Sequence, residues 1–176
     1  SWAPLFADFD LDGYQDLFVS NGTRRDINNK DFFNWLNHPR TKMKVSFGDI
    51  SFAALTEKMP SQRVDNYIFK SQQGKTFEKS NDDWGLHFPG FSNGAAYADL
   101  DNDGDLELIL NNIDSTAAIF KNNAIERKEG NYLAIQLKGS ANNPFALGTK
   151  ITLKGKDFNY YHEHTLVRGY QSSVDP

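Results

Sequence analysis

The strongest constraint on the fold of this 176-residue chain is an acidic segment that occurs twice, 91 residues apart. Residues 6–22 read FADFDLDGYQDLFVSNG, and residues 97–113 read YADLDNDGDLELILNNI. Each copy has Asp at positions one, three and five, Gly at position six and a carboxylate at position nine, with apolar residues on both sides. This self-similarity predicts one structural unit that the fold repeats.

The carboxylates of each copy are close enough to repel one another unless a cation lies among them. A hard divalent ion with oxygen ligands fits best, most simply Ca²⁺; Mg²⁺ fits less well because it demands near-ideal octahedral geometry. Gly13 and Gly104 would allow the sharp backbone turn. We therefore predict two calcium sites, formed by Asp8, Asp10, Asp12, the Tyr14 carbonyl and Asp16, and by Asp99, Asp101, Asp103, the Asp105 carbonyl and Glu107.

The charge distribution favours the same interpretation. The chain has 23 acidic and 19 basic residues and a formal net charge of -4, and nine of the acidic residues lie in the two loops. A single Asp-rich turn would be unremarkable, since Asp, Asn and Gly favour turns for conformational reasons. The duplication is what favours metal binding, and two Ca²⁺ ions would bring the formal charge to zero.

The loops differ from EF-hands. An EF-hand needs a bidentate Glu at position twelve and a helix on either side, but position twelve is Val19 in the first loop and Leu110 in the second. The residues that follow each loop form a short apolar run typical of a buried strand. We therefore expect each loop to join one strand to the next.

The rest of the chain predicts further strands and a helical segment. Strands are expected over residues 66–70, 75–78, 94–98 and 117–121, where YIFKSQ and AIFKNN form a weaker second repeat. Apolar residues at helical spacing predict two short amphipathic helices packed as a cap, one with Phe32, Trp35 and Leu36 and one with Phe52, Leu55 and Met59. From about Gly130, alternating apolar residues predict a second β domain, with Leu133, Ile135 and Leu137, then Ile151 and Leu153, then residues 158–162.

Composition excludes several classes of protein. The chain has no cysteine, so it has no disulfide, thiolate metal site or cysteine nucleophile. No apolar run approaches the ~18 residues of a membrane span. The basic residues are scattered and the isoelectric point is about 5.5, which argues against nucleic-acid binding.

Three further groups of residues allow two interpretations each. His162 and His164 would share a strand face and could bind a transition metal, but a third ligand is not apparent, which favours ordinary surface histidines. Asn21-Gly22-Thr23 matches a glycosylation triplet, although Asn-Gly is also a common turn. Paired catalytic carboxylates are conceivable, but outside the loops Asp82, Asp83 and Glu126 have no evident partner in the sequence.

The acidic loops and their flanks resemble the FG-GAP/VCBS repeat family. Its repeats form β-propeller blades with Asp-x-Asp-x-Asp-Gly calcium loops, as in integrin α-chain heads. The stretches NPFALGTKITL and RGYQSS are similar to the ASPIC/UnbV domain, which follows such repeats in cartilage acidic protein-like proteins of Bacteroidetes. The resemblance implies a mainly β fold with the end of one repeat at 1–22, a helical insertion at 23–65, a second repeat at 66–125 and the N-terminal part of an ASPIC/UnbV-like domain at 130–176.

From this resemblance we expect a non-enzymatic adhesion or ligand-binding module of a larger extracellular, cell-surface or periplasmic protein. Its calcium would be structural, and its partner would be a protein or a glycan. Self-association through exposed strand edges is a further expectation. The alternative is an accessory or catalytic part of a polysaccharide-processing enzyme.

Overall fold

The computed structural model describes residues 3–156, 158–169 and 172–174, and its fold is mainly β, with 30% strand and 14% helix. The strands, in chain order, are β1 Pro4–Ala7, β2 Asp16–Val19, β3 Tyr67–Gln72, β4 Thr76–Lys79, β5 Ser92–Ala98, β6 Glu107–Asn112, β7 Ala118–Phe120, β8 Lys150–Lys154 and β9 Asn159–Glu163. Three helices, α1 Lys30–Asn37, α2 Pro39–Ser46 and α3 Phe52–Lys58, lie between β2 and β3. Each acidic loop joins one strand to the next, as the sequence predicted.

The strands form three antiparallel sheets, with orders β1-β2-β3-β4, β5-β6-β7 and β8-β9. The first two sheets share one register around the acidic loops. Leu17 on β2 pairs with Phe69 on β3, and the equivalent Leu108 on β6 pairs with Phe120 on β7. The two copies are therefore equivalent in strand pairing as well as in sequence.

A single apolar cluster joins the first two sheets. Leu5, Phe18 and Leu110 are fully buried in it, and Phe9 of the first loop meets the ring of Tyr97 edge-on at 6.3 Å. Full burial of such side chains contributes about 1.5–3 kcal/mol each. The hairpins that carry the two loops are thus held together by a shared core.

Buried amides and hydroxyls also connect the sheets. Asn66 Nδ2 donates to Ser92 Oγ at 2.8 Å, and that hydroxyl donates to Asn112 Oδ1 at 2.6 Å. Asn21, which is equivalent to Asn112, donates from Nδ2 to the carbonyls of Val64 and Gly90. Both hydrogens of the Asn21 amide are used in this way, so the glycosylation triplet serves as a structural junction.

The segment between β2 and β3 has three helices, where the sequence predicted two. The missed helix, α2, has no apolar stripe; it begins with Pro39 at its first turn, capped by the side chain of His38. Phe32 on α1 is buried, as predicted. Phe52 on α3 is 82% exposed, so the prediction of a fully packed cap is wrong for that residue.

In the C-terminal region, β8 and β9 form a hairpin as predicted, with Ile151 opposite His162. The strand predicted over 133–137 is absent, since residues 131–139 are all described and none lies in a strand. Leu133 is 66% exposed there. Arg168 Nε donates to Tyr97 Oη at 3.2 Å, which connects this region to β5.

Two observations bear on partners. Within the described ranges, none of the helices combines the length and the apolar character required to cross a bilayer. The edge strands of the first two sheets are β1 and β4, and β5 and β7.

Candidate metal centres

The first carboxylate organises the backbone of each loop. Asp8 accepts the N–H groups of Asp12 and Gly13 at 3.1 and 2.8 Å. Asp99 accepts those of Asp103 and Gly104, both at 3.1 Å. Gly13 and Gly104 have φ of +91° and +101°, a region that L side chains rarely adopt. Glycine at position six is therefore a backbone requirement.

The ninth carboxylate ties each loop to the third strand of its unit. Asp16 accepts the N–H of Phe9 at 3.0 Å and that of Ser71 at 2.8 Å. Glu107 accepts the N–H of Leu100 at 2.8 Å and that of Asn122 at 3.3 Å. Ser71 lies on β3, and Asn122 holds the equivalent position after β7. Both carboxylates are buried, at 0% and 3% exposure.

Carboxylates from positions one, three and nine meet in each unit. One oxygen from each of Asp8, Asp10 and Asp16 lies within 4.8 Å of the others, and Asp99, Asp101 and Glu107 form the equivalent group. The fifth-position carboxylates lie outside these two groups. Asp12 accepts the N–H of Tyr14 at 2.9 Å, and Asp103 accepts that of Asp105 at 3.1 Å. The carbonyl ligands of Tyr14 and Asp105 stay predictions.

The first loop holds its carboxylates at an energetic cost. Burial raises the pKa of Asp8 to about 6 and that of Asp16 to about 7; backbone N–H donors partly offset this effect, and neighbouring carboxylates add to it. Asp10 is 6% exposed, and its Oδ1 has no hydrogen-bond partner among the described residues. A buried carboxylate oxygen without a donor is costly and suits a cation ligand. The residues present therefore fit a hard divalent ion.

Each group also has a lysine from the third strand or the residue just after it. Lys70 Nζ bonds Asp10 Oδ2 and lies 3.7 Å from Asp12 Oδ2. The equivalent Lys121 Nζ lies 2.8 Å from Asp101 Oδ2. The bond to Asp10 raises the pKa of Lys70, and the bond from Lys121 lowers the pKa of Asp101. Neither lysine was predicted as part of a site from the sequence, although both follow Ile-Phe in the YIFKSQ and AIFKNN repeat.

Asn122 brings the two loops together. Its Nδ2 donates to the Phe9 carbonyl of the first loop at 2.6 Å and to the Leu106 carbonyl of the second at 3.4 Å. Its backbone N–H binds Glu107. The two acidic groups are therefore neighbours in one structure.

Two other sets of candidate residues, the histidines and the carboxylates outside the loops, lie outside the two acidic loop groups. Tyr160 stacks on His162, and burial lowers the pKa of that imidazole. The metal-capable groups found among the described residues contain carboxylates and no histidine. Glu126, without a partner in the sequence analysis, lies 3.1 Å from Lys121, and Asp82 lies 3.0 Å from His87.

Together, the fold and the site define an antiparallel β protein with two equivalent acidic hairpin loops whose oxygen donors suit a hard divalent cation. Residues 139–176 match the family model described as ASPIC and UnbV, which confirms the resemblance for the C-terminal part of the chain. No curated protein and no solved structure matched the chain.

Proposed function

We propose that the chain is a calcium-stabilised, non-enzymatic binding module of a larger extracellular, cell-surface or periplasmic protein. The sheets β1–β4 and β5–β7 would each be a blade of an FG-GAP/VCBS-type β-propeller. The sequence repeats at 1–22 and 66–125 would be offset from these blades, because β3 pairs with β2 across the insertion at 23–65 and brings β4 into the first sheet. Residues 130–176 would begin the ASPIC/UnbV-like domain. Each acidic loop would hold one Ca²⁺.

The observation that carries the proposal is the equivalence of the two loops. Positions one, three and nine converge in both, on the same pattern of backbone hydrogen bonds. In the first loop this convergence leaves a buried oxygen of Asp10 without a hydrogen-bond donor among the described residues. Calcium takes six to eight oxygen ligands, so an ion would satisfy that oxygen and neutralise the group.

The ion would have a structural effect on the third strand. The ninth carboxylate binds both its own loop and the N–H of Ser71 or Asn122. An ion that fixes this carboxylate would therefore fix the pairing of three strands. Stability of the blades would then depend on calcium by mass action.

The placement of the carboxylates favours binding over hydrolysis. Acid–base catalysis needs two carboxylates whose environments push their pKa values apart within a cleft. Here Asp8, Asp16, Asp99 and Glu107 are engaged by backbone N–H groups. The partner would be a protein or a glycan, and the edge strands β1, β4, β5 and β7 would be the sites of any self-association.

Thermal unfolding with and without calcium tests the proposal. EDTA should lower Tm, and added Ca²⁺ should restore it. The Asp10→Asn and Asp101→Asn variants should each show a smaller increase in Tm on addition of Ca²⁺ than wild type does. Asp83→Asn is the matched control, because Asp83 is exposed and lies outside both loops. Identical transitions in EDTA and Ca²⁺ would refute the calcium proposal.

A separate assay tests the non-enzymatic assignment. The chain should release no product from oligosaccharides over long incubation. Turnover that persists in Asp10→Ala and Asp101→Ala variants would contradict the assignment and establish hydrolysis outside the loops.

A further inference from the structure

The two loops differ in both chemistry and burial at position seven. Tyr14 occupies this position in the first loop and is 42% exposed, whereas Asp105 occupies it in the second and is fully buried. Asp105 Oδ2 accepts the N–H of Ile125 at 3.0 Å. Its Oδ1 is buried and has no hydrogen-bond partner among the described residues. The second loop therefore contains a buried oxygen that the chain itself leaves unsatisfied.

Two more carboxylates lie around Asp105. One oxygen from each of Asp103, Asp105 and Glu126 lies within 4.8 Å of the others. Glu126 comes from the segment after β7, so the group joins the loop to a distant part of the chain.

Lys121 neutralises this group only in part. Its Nζ lies 3.1 Å from Glu126 Oε1, and it also lies 2.8 Å from Asp101 Oδ2, in the neighbouring acidic group. The ion pair with Glu126 does not reach the unsatisfied Oδ1 of Asp105, which stays without a partner. A fully buried carboxylate normally has its oxygens paired or bound to a metal.

We propose that the side chains of Asp103, Asp105 and Glu126 form a third site for a hard divalent cation beside the second loop site, whose carboxylate group of Asp99, Asp101 and Glu107 does not include the Asp103 side chain. The donors are all carboxylate oxygens, which suit Ca²⁺ better than softer transition metals. Asp105 is the buried member of the group and has one oxygen without a partner among the described residues, whereas Asp103 is half-buried and Glu126 is exposed.

The first unit provides an internal control. Position seven is Tyr14 there, and five residues after the shared lysine it has Lys75, where the second unit has Glu126. Two of the three carboxylates are thus missing from the equivalent positions. The third site should therefore be present in the second unit and absent from the first.

The test is the number of Ca²⁺ ions bound per chain, measured by equilibrium dialysis at saturating Ca²⁺. Wild type should bind three, and Glu126→Gln and Asp105→Asn should each bind two. Glu129→Gln is the matched control: Glu129 lies three residues further on and pairs with Arg127 at 3.8 Å, outside the group. It should keep all three ions.

Other outcomes separate this site from the proposed loop sites. Two ions in wild type and still two in Glu126→Gln would overturn the third site and leave the loop sites standing. A third outcome is that wild type binds a single ion. If this ion stays bound in the Asp10→Asn/Asp99→Asn double variant and is lost when Glu126→Gln is added, the result would support the third site without the loop sites. No bound Ca²⁺ in wild type would overturn both.

Thermal unfolding gives a second measurement. Glu126 is exposed, so Glu126→Gln should fold, and in EDTA it should melt close to Glu129→Gln. In Ca²⁺ it should gain less in Tm than Glu129→Gln does. An equal gain in both variants would contradict the site.

Discussion

The two acidic loops have the same backbone but differ in how deeply they are buried. In the first, the Asp10 side chain is 7% exposed and pairs with Lys70; in the second, Asp101 is 41% exposed and pairs with Lys121. The equivalent hydrogen bonds follow from Asp and Gly at fixed spacing in both copies. The burial follows from residues elsewhere in the chain. A local motif thus sets the shape of the loop, and its surroundings set the energy of the charges.

The largest expected effect on stability comes from replacing the ninth carboxylate of each loop, which tests whether the two loops are equivalent. Asp16→Asn and Glu107→Gln would each turn an amide NH₂ towards a backbone N–H, leaving buried donors unpaired. We expect each to lower the free energy of unfolding by about 2–4 kcal/mol, measured by urea denaturation in Ca²⁺. Asp83→Asn should have almost no effect. A large difference between the two variants would show that the loops are not equivalent.

The next test concerns the lysines. Lys70→Met removes the ammonium from buried Asp10 and should cost about 1–3 kcal/mol without calcium. Lys121→Met should cost less, because both partners of that pair are about half exposed and solvent screens them. The measurement is urea denaturation in EDTA. Equal losses in the free energy of unfolding would contradict the role given to burial. Saturating Ca²⁺ should reduce the difference between the two variants, because the ion supplies the positive charge that the lysine no longer provides.

Alanine substitution of the glycine at position six compares the surroundings of the two loops. Gly13→Ala should cost about 1–2 kcal/mol, since its φ of +91° is strained for alanine and nothing lies near the added methyl. Gly104→Ala should cost more, because a Cβ there would lie 2.0 Å from a Tyr132 ring carbon. Unfolding of the two variants in a Tyr132→Ala background gives the control. The excess cost of Gly104→Ala should disappear there, and an excess that persists would exclude the ring as its cause.

The last expected effect is a pH dependence of the calcium-free protein. Asp8 and Asp16 have folded pKa values of about 6 and about 7, above their ordinary value of 3.8. The folded state therefore binds more protons than the unfolded state, and stability is lost as pH rises from about 4 to about 7. Tm in chelator-treated protein should fall over this range. Asp8→Asn should flatten the slope and Asp83→Asn should not; an unchanged slope in Asp8→Asn would contradict the assignment.

The sequence predicted the parts of the site that lie within one short segment. The loops and their flanking strands follow from a local pattern, and both are present. Lys121, Asn122 and Glu126 were missed because they reach the second loop from fourteen or more residues beyond Glu107, and only pairing of β6 with β7 brings them there. The shared Ile-Phe-Lys of the second repeat was the available signal.

The errors in the predicted fold have related causes. Alternation at Leu133, Ile135 and Leu137 is typical of one face of a strand, but a strand also needs a partner strand, and none of the described strands pairs with residues 131–139. Helix α2 is the opposite error, since it is present although the sequence did not predict it. Its sequence, PRTKMKVS, has no apolar stripe, so its signal lies in the cap and in Pro39.

The buried amide at Asn21 has a consequence for how this fold accepts new sequence. Asn21 binds the carbonyl of Val64 where the helical segment returns, and the equivalent Asn112 binds the carbonyl of Thr116, only four residues on. The same asparagine-to-carbonyl hydrogen bond thus closes a short turn in one unit and a segment of more than forty residues in the other. Because the entropy of closing a loop grows slowly with its length, we expect the fold to tolerate replacement of the segment between Asn21 and Val64. A short turn or a foreign peptide could then take its place while the acidic loops keep their flanking strands.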